Sequence, residues 1–193
     1  MPDIAAVRHH PLARQLESVA HSAGASVSLS ALPAETRFIL RGDGAVATAI
    51  SAAFGVSVRS EPMQAAQEGS RAALWLGPDE WLLLASESDT ATLIATLTSA
   101  LSGMSGCLVD ISHRQTAIEI SGPRAEDVLN VHVPLDLSET AFPVQMSTRT
   151  LLAKAEVVLW RQSSDTFRIE VTRSMAPYVW DMLGEAMLEY EIA

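Results

Sequence analysis

One cysteine and one lysine are all that this chain of 193 residues holds of either. Cys107 has no partner for an internal disulfide, and no CxxC pair exists to hold zinc or do redox work. Its apolar surroundings predict a buried, inert thiol. Lys154 is the lone lysine, and scattered arginines make up the rest of 13 basic residues against 23 acidic ones, a formal charge of −10. Nucleic-acid binding needs clustered cations, and the same sign disfavours anionic membrane surfaces. No apolar run approaches the roughly 20 residues of a membrane-spanning helix. The N-terminal stretch, with Asp3, His9 and His10, has no apolar core of a secretion signal, so a cytoplasmic location is the expectation. Phosphate-cradling glycine motifs of the GxGxxG or GxxxxGK kind are missing too.

Apolar residues are plentiful: 48% of the chain is hydrophobic and 19% charged, with a mean hydropathy of +0.19. A chain this long buries about 70% of its unfolded surface. The balance suits either a large core or a surface partly covered by a partner.

Leu12, Leu16 and Val19 predict a short helix after Pro11, ended by Gly24. Val27 and Leu29 alternate with serines as in a strand, and Phe38 and Leu40 share one face of the next. Asp43 is placed to cap a helix carrying Val46, Ala49, Ile50, Ala53 and Phe54. Val56–Val58 reads as extended, and polar Glu61–Ser70 as a mobile loop. ALWL and WLLLA flank Gly77-Pro78-Asp79-Glu80 as a hairpin apolar on both faces, hence covered on both sides. A helix over 89–101 then aligns Leu93, Leu97 and Leu101.

The order recurs about 80 residues later. TRFILRGDGAVATAI (36–50) has its counterpart in TAIEISGPRAEDVLN (116–130), and ALWLGPDEWLLLA (73–85) in VVLWRQSSDTFRIEV (157–171). A helix opening near Ser174, with Val179, Trp180, Met182, Leu183 and Met187, closes the second copy, and its tryptophan suits core or subunit contact better than ligand stacking. The fold class expected is α+β, two tandem βαββαβ-like, ferredoxin-like halves packed into one body. The divisions are an N-terminal helical segment (1–25), a first repeat (26–111) and a second (112–193). Val133–Thr148 is a long crossing that either lies on the surface or reaches into a partner.

The concentrated polar set is Asp110, His113 and Arg114. Of these, Asp110 and His113 are the candidates for general-base chemistry. In an extended strand they fall on opposite faces, so a dyad needs a bulge or turn, and no activated nucleophile stands beside them. A structural network at the junction is the favoured reading, and no residue is assigned to catalysis, cofactor or metal. Asp43 between Gly42 and Gly44 suits helix capping, since its charge would repel a phosphate. His9-His10 lacks a third metal ligand. Arg149, Lys154, Arg161 and Arg173 either clamp an acidic partner or form salt bridges along strand edges.

LWLGPDEWLLLA (74–85), DISHRQTAIEISGP (110–123), PLDL (134–137), RTLLAKAEVVLWR (149–161) and FRIEVTRSMAPYVWDML (167–183) together resemble the gamma subunit family of heterotetrameric sarcosine oxidase nearly end to end. VDISHRQTAIEISGPRAEDVL (109–129) is also similar to a segment of aminomethyltransferase, the glycine-cleavage T-protein, whose N-terminal fold binds folate. His132-Val133 stands where the family pattern has Gly-Cys, and Ser147 where it has cysteine. The resemblance implies a non-catalytic structural subunit beside alpha, beta and delta chains, mainly alpha. The assembly oxidatively demethylates sarcosine to glycine, giving hydrogen peroxide and formaldehyde or 5,10-methylenetetrahydrofolate. FAD, FMN, NAD, folate and zinc are then carried by the partner subunits and none by this chain. The other functions in play are a stand-alone, T-protein-like folate-binding protein and a folate-independent, homo-oligomeric binding module.

Overall fold

Strand β3 (Glu35–Arg41) displays the alternation that builds the molecule. Phe38 and Leu40 turn to a helical layer on one side, while Arg37 and Ile39 turn to a second sheet on the other. The computed structural model describes residues 10–18, 22–23 and 26–190. Beyond β3 these form helix α1 (Ala13–Ser18), strands β1 (Ser22–Ala23) and β2 (Val27–Ala31), and helix α2 (Gly44–Phe54). Strands β4 (Ala65–Glu68), β5 (Arg71–Gly77) and β6 (Glu80–Ser86) follow, then helix α3 (Thr90–Ala100) and strand β7 (Cys107–Asp110). The second half holds β8 (Gln115–Ser121), α4 (Ala125–Asn130), β9 (Ser147–Leu152), β10 (Ala155–Ser163), β11 (Thr166–Thr172) and α5 (Ala176–Met187).

Two antiparallel sheets stack face to face, one ordered β4-β5-β6-β3-β7 and the other β1-β2-β8-β11-β10-β9. Helices α2 and α3 cover the outside of the first, where Val46, Ile50, Phe54, Leu93 and Leu97 meet Phe38, Leu40, Trp81 and Leu83. Helices α4 and α5 cover the outside of the second through Val128, Leu129, Val179, Trp180 and Leu183. Between the sheets lie Leu74, Leu82, Leu84, Val158 and Trp160. Each fully buried Leu or Val contributes about 1.5–3 kcal/mol, so three such layers hold the body together. The hairpin strands β5 and β6 are covered on both faces, as their unbroken apolar runs predict.

The duplication is visible in the topology. The order β4-β5-β6-β3 in one sheet matches β9-β10-β11-β8 in the other. The place that β7 takes beside β3 is taken beside β8 by β2, a strand from the start of the chain. Ferredoxin-like halves in one body, an α+β architecture, are thus the observed fold.

Asp43 caps α2 as expected, accepting from the amides of Ala45 and Val46 at 3.0 Å each. Three local expectations need correction. Helix α1 does not run on to Gly24, because Ser22–Ala23 pairs with β2; Val19 and Gly24 themselves lie outside the described residues. Val56–Val58 makes no strand, its valines folding back onto the α2–α3 core. The stretch 61–70 is not a loop throughout: it contains β4, an edge strand on which Ala65 is buried while Gln67 and Glu68 face solvent. A half-exposed four-residue strand with one alanine inward has too little apolar signal to be read from sequence.

Candidate functional site

The turn after β7 carries the Asp110–Arg114 motif from one sheet to the other. Arg114 donates its amide to the carbonyl of Ile111 at 2.9 Å, so the segment bends as a dyad would require. Asp110 nevertheless turns to Ser112, accepting from its amide at 2.8 Å and its hydroxyl at 2.5 Å. Ser112 Oγ in turn accepts the Arg37 amide at 2.9 Å. His113 is exposed and shares no hydrogen bond with Asp110. The motif is thereby stitched into the middle of β3.

Beneath that stitch lies the densest polar cluster, which the sequence reading missed: Glu35 and Arg37 on β3 with Arg168 and Glu170 on β11. Arg37 donates to the Glu170 carboxylate through Nε at 2.7 Å and Nη2 at 3.2 Å, and to the Glu35 carbonyl at 3.2 Å. Arg168 donates to Glu170 through Nε at 2.9 Å and Nη2 at 2.6 Å, and also pairs with the Glu35 carboxylate. Arg37, Arg168 and Glu170 are buried, with Glu35 at the rim. Burial pushes the Glu170 carboxyl up, but the Arg168 and Arg37 guanidinium groups beside it outweigh that and hold it below the usual carboxylate range. The Arg168 guanidinium loses by burial and gains more from Glu170 and Glu35, so it is held protonated. Two positive and two negative charges close on themselves, which lets a sheet–sheet interface carry them. A sequence signal existed: charged residues at alternate positions in FRIE and ETR point inward on strands otherwise apolar.

Cavities of about 110, 310 and 80 Å³ surround this cluster. Glu170 with Arg114 and Arg149 lines the first, Glu35 and Arg168 with Trp160 the second, and Arg37 with His10 and Thr116 the third. Pockets that enclose small molecules run from about 300 to 1,000 Å³, so two of these hold little more than solvent. Among the described residues no group of three His, Cys, Asp or Glu is placed to hold a metal ion. His10 bonds the Leu32 carbonyl at 3.1 Å and accepts from the Leu12 amide; His9 lies outside the described residues.

Two arginines named above have internal partners. Arg161 is buried and donates to the carbonyls of Leu137 (2.8 Å), Phe142 (3.0 Å) and Ser164 (2.5 Å), with its guanidinium 4.9 Å from the Phe167 ring centre. It pins the long crossing, whose Val133, Leu137 and Phe142 belong to the chain's own core. Arg149 reaches across the sheets to Glu80 at 2.5 Å, and that bond raises its guanidinium's proton affinity further. Cys107 is exposed, contrary to expectation: among the described residues β7 pairs with β3 alone, at the edge of its sheet.

The model of the family described as "Sarcosine oxidase, gamma subunit family" matches residues 41–189. The chain belongs to the sarcosine oxidase gamma subunit family. Similar proteins include the sarcosine oxidase gamma subunit of Corynebacterium sp. (strain P-1), 39% identical over 62% of this chain and 58% of that one. That of Corynebacterium sp. (strain U-96) is 36% identical over 75% of this chain and 70% of its own length. Among solved structures, a chain of the heterotetrameric sarcosine oxidase of Corynebacterium sp. U-96, in complex with pyrrole 2-carboxylate, superposes with a TM-score of 0.89 at 32% identity. That match covers 96% of this chain and 97% of the other. Aminomethyltransferase T of Bartonella henselae, at 14% identity, superposes with a TM-score of 0.61 over 82% of this chain and 45% of that one. This chain thus shares the fold of part of that enzyme.

Proposed function

We propose that this chain is the gamma subunit of a heterotetrameric sarcosine oxidase and acts as scaffolding for that assembly. The observation that carries this is the near-complete superposition on a chain of such an oxidase, 96% of one and 97% of the other. The companions are alpha, beta and delta subunits, with alpha the main contact, in the cytoplasm. The assembly oxidises the N-methyl group of sarcosine, yielding glycine, hydrogen peroxide and formaldehyde or 5,10-methylenetetrahydrofolate. FAD, FMN, NAD, folate and zinc belong to the companions in this reading.

Asp110 and His113 then serve structure. The carboxylate of Asp110 is engaged by Ser112, and among the described residues no carboxylate bonds His113 to orient it as a base. The charge cluster under them is self-neutralising, which suits an interior brace better than a reaction centre.

Co-expression with the companion chains tests the reading. Recovery of this chain in stoichiometric amount within a flavin-containing complex that forms peroxide from sarcosine is the expected result. Flavin bound tightly to the isolated chain, or sarcosine turnover by it, would overturn the scaffolding role.

A further inference from the structure

The four ends of the two sheets are not treated alike. Edges β4 and β9 lace to each other: Gln64 bridges Met146, Ala65 donates to the Gln145 carbonyl at 2.8 Å and Ser147 to that of Met63 at 2.8 Å. Strand β1 ends the second sheet. Strand β7 pairs with β3 on its inner side, and among the described residues nothing pairs with its outer side.

Its register tells which groups are left over. Ile111 donates its amide to the Arg37 carbonyl at 2.8 Å, while Val109 stands opposite Ile39 and Leu108 opposite Leu40. Alternation in an antiparallel ladder then turns the amides and carbonyls of Cys107 and Val109 inward, and those of Leu108 and Asp110 outward. Val109 is 47% exposed, although its cross-strand neighbour Ile39 packs into the layer between the sheets. The apolar inter-sheet layer thus runs on past its last covered residue, onto Val109 and the exposed Cys107. The strand carries no lysine, proline or bulge, devices that natural proteins use to blunt an open edge.

We infer that β7 is a docking edge on which an extended segment of a companion subunit adds a sixth strand to the five-stranded sheet; this rests on the gamma-subunit reading above. The unpaired main-chain groups of Leu108 and Asp110 select a β-strand over a helix or a flat surface. The segment places an apolar side chain beside Val109 and closes the inter-sheet layer. A second copy of this chain is the poorer occupant, since each copy brings a formal charge of −10 to the encounter. A basic segment from another subunit gains from the same field.

Site-resolved hydrogen exchange on the assembled oxidase, with Val109→Lys and Ile94→Lys variants beside it, provides the test. Slow exchange at the Leu108 and Asp110 amides is expected in the complex. Val109→Lys should cut the gamma chain recovered with its companions about tenfold or more, equivalent to at least about 1.4 kcal/mol. Ile94→Lys, on the exposed face of α3, should leave recovery at the wild-type level. Fast exchange at both amides in the wild-type complex overturns the inference whatever the variants do, as does a homodimer of the isolated chain that protects them. A wild-type chain that fails to assemble removes the gamma-subunit reading as well. One that assembles with both amides freely exchanging removes the β7 dock alone.

Discussion

Arg37 has three apolar residues after it on β3, yet it is buried as completely as any of them. What permits this is Glu170, 133 positions away, whose carboxylate takes both its Nε and Nη2. Replacing one member of such a set leaves the other charges buried and unmatched, so Arg37→Met should cost about 3–5 kcal/mol in urea unfolding. The pH dependence follows from Glu170. Its carboxyl is held below the usual range in the folded chain, so its stabilisation is complete above the unfolded value of about 4.3 and is lost as pH falls through the folded one. Thermal unfolding scans should show the midpoint dropping below about pH 4. Glu170→Gln should start lower and show a shallower acid decline. An equal acid slope in both proteins would assign the effect to other carboxylates.

Among elements, the crossing between α4 and β9 has almost no regular structure, yet it is held firmly. Arg161 supplies the constraint by satisfying carbonyls at both Leu137 and Phe142 while Val133, Leu137 and Phe142 sink into the core. Arg161→Met keeps the apolar stem but leaves those carbonyls unpaired, for about 1–3 kcal/mol. Limited proteolysis should then cut within 133–146 before any other site. Gly122 controls the other junction. Its φ of +117° suits glycine, and a Cβ there would meet the Ser26 carbonyl oxygen at 2.6 Å, where β2 docks beside β8. Gly122→Ala should destabilise by about 1–3 kcal/mol, and chiefly free β2, which amide exchange at 27–31 would register.

At the scale of the whole molecule, the halves are joined in three ways. A strand from the first half, β2, completes the second sheet; the charge cluster bridges β3 and β11; and an apolar layer fills the gap between the sheets. Neither sheet can shed the other without exposing that layer and separating paired charges. Calorimetry should therefore show one cooperative transition, with calorimetric and van't Hoff enthalpies in agreement. Two resolved transitions would mean that the halves are independent bodies. The net charge of −10 is left for the surface, where it bears on which partners approach.

Local periodicity was enough to place β3 with α2, the β5–β6 hairpin, α3 and α5, because each buries a regular set of side chains such as Leu93 and Leu97 or Val179 and Leu183. Self-similarity revealed the duplication, and the long ordered matches identified the family. The candidate site was less legible. Asp110 and His113 were visible as a polar pair, but whether a carboxylate turns to a histidine or to Ser112 depends on side-chain geometry across a turn. Tertiary structure alone decided that Glu35, Arg37, Arg168 and Glu170 are one cluster, that 61–70 holds a strand and that Cys107 faces outward. Each of these rests on what lies opposite in another sheet, and residues far apart along a chain acquire that relation only when it folds.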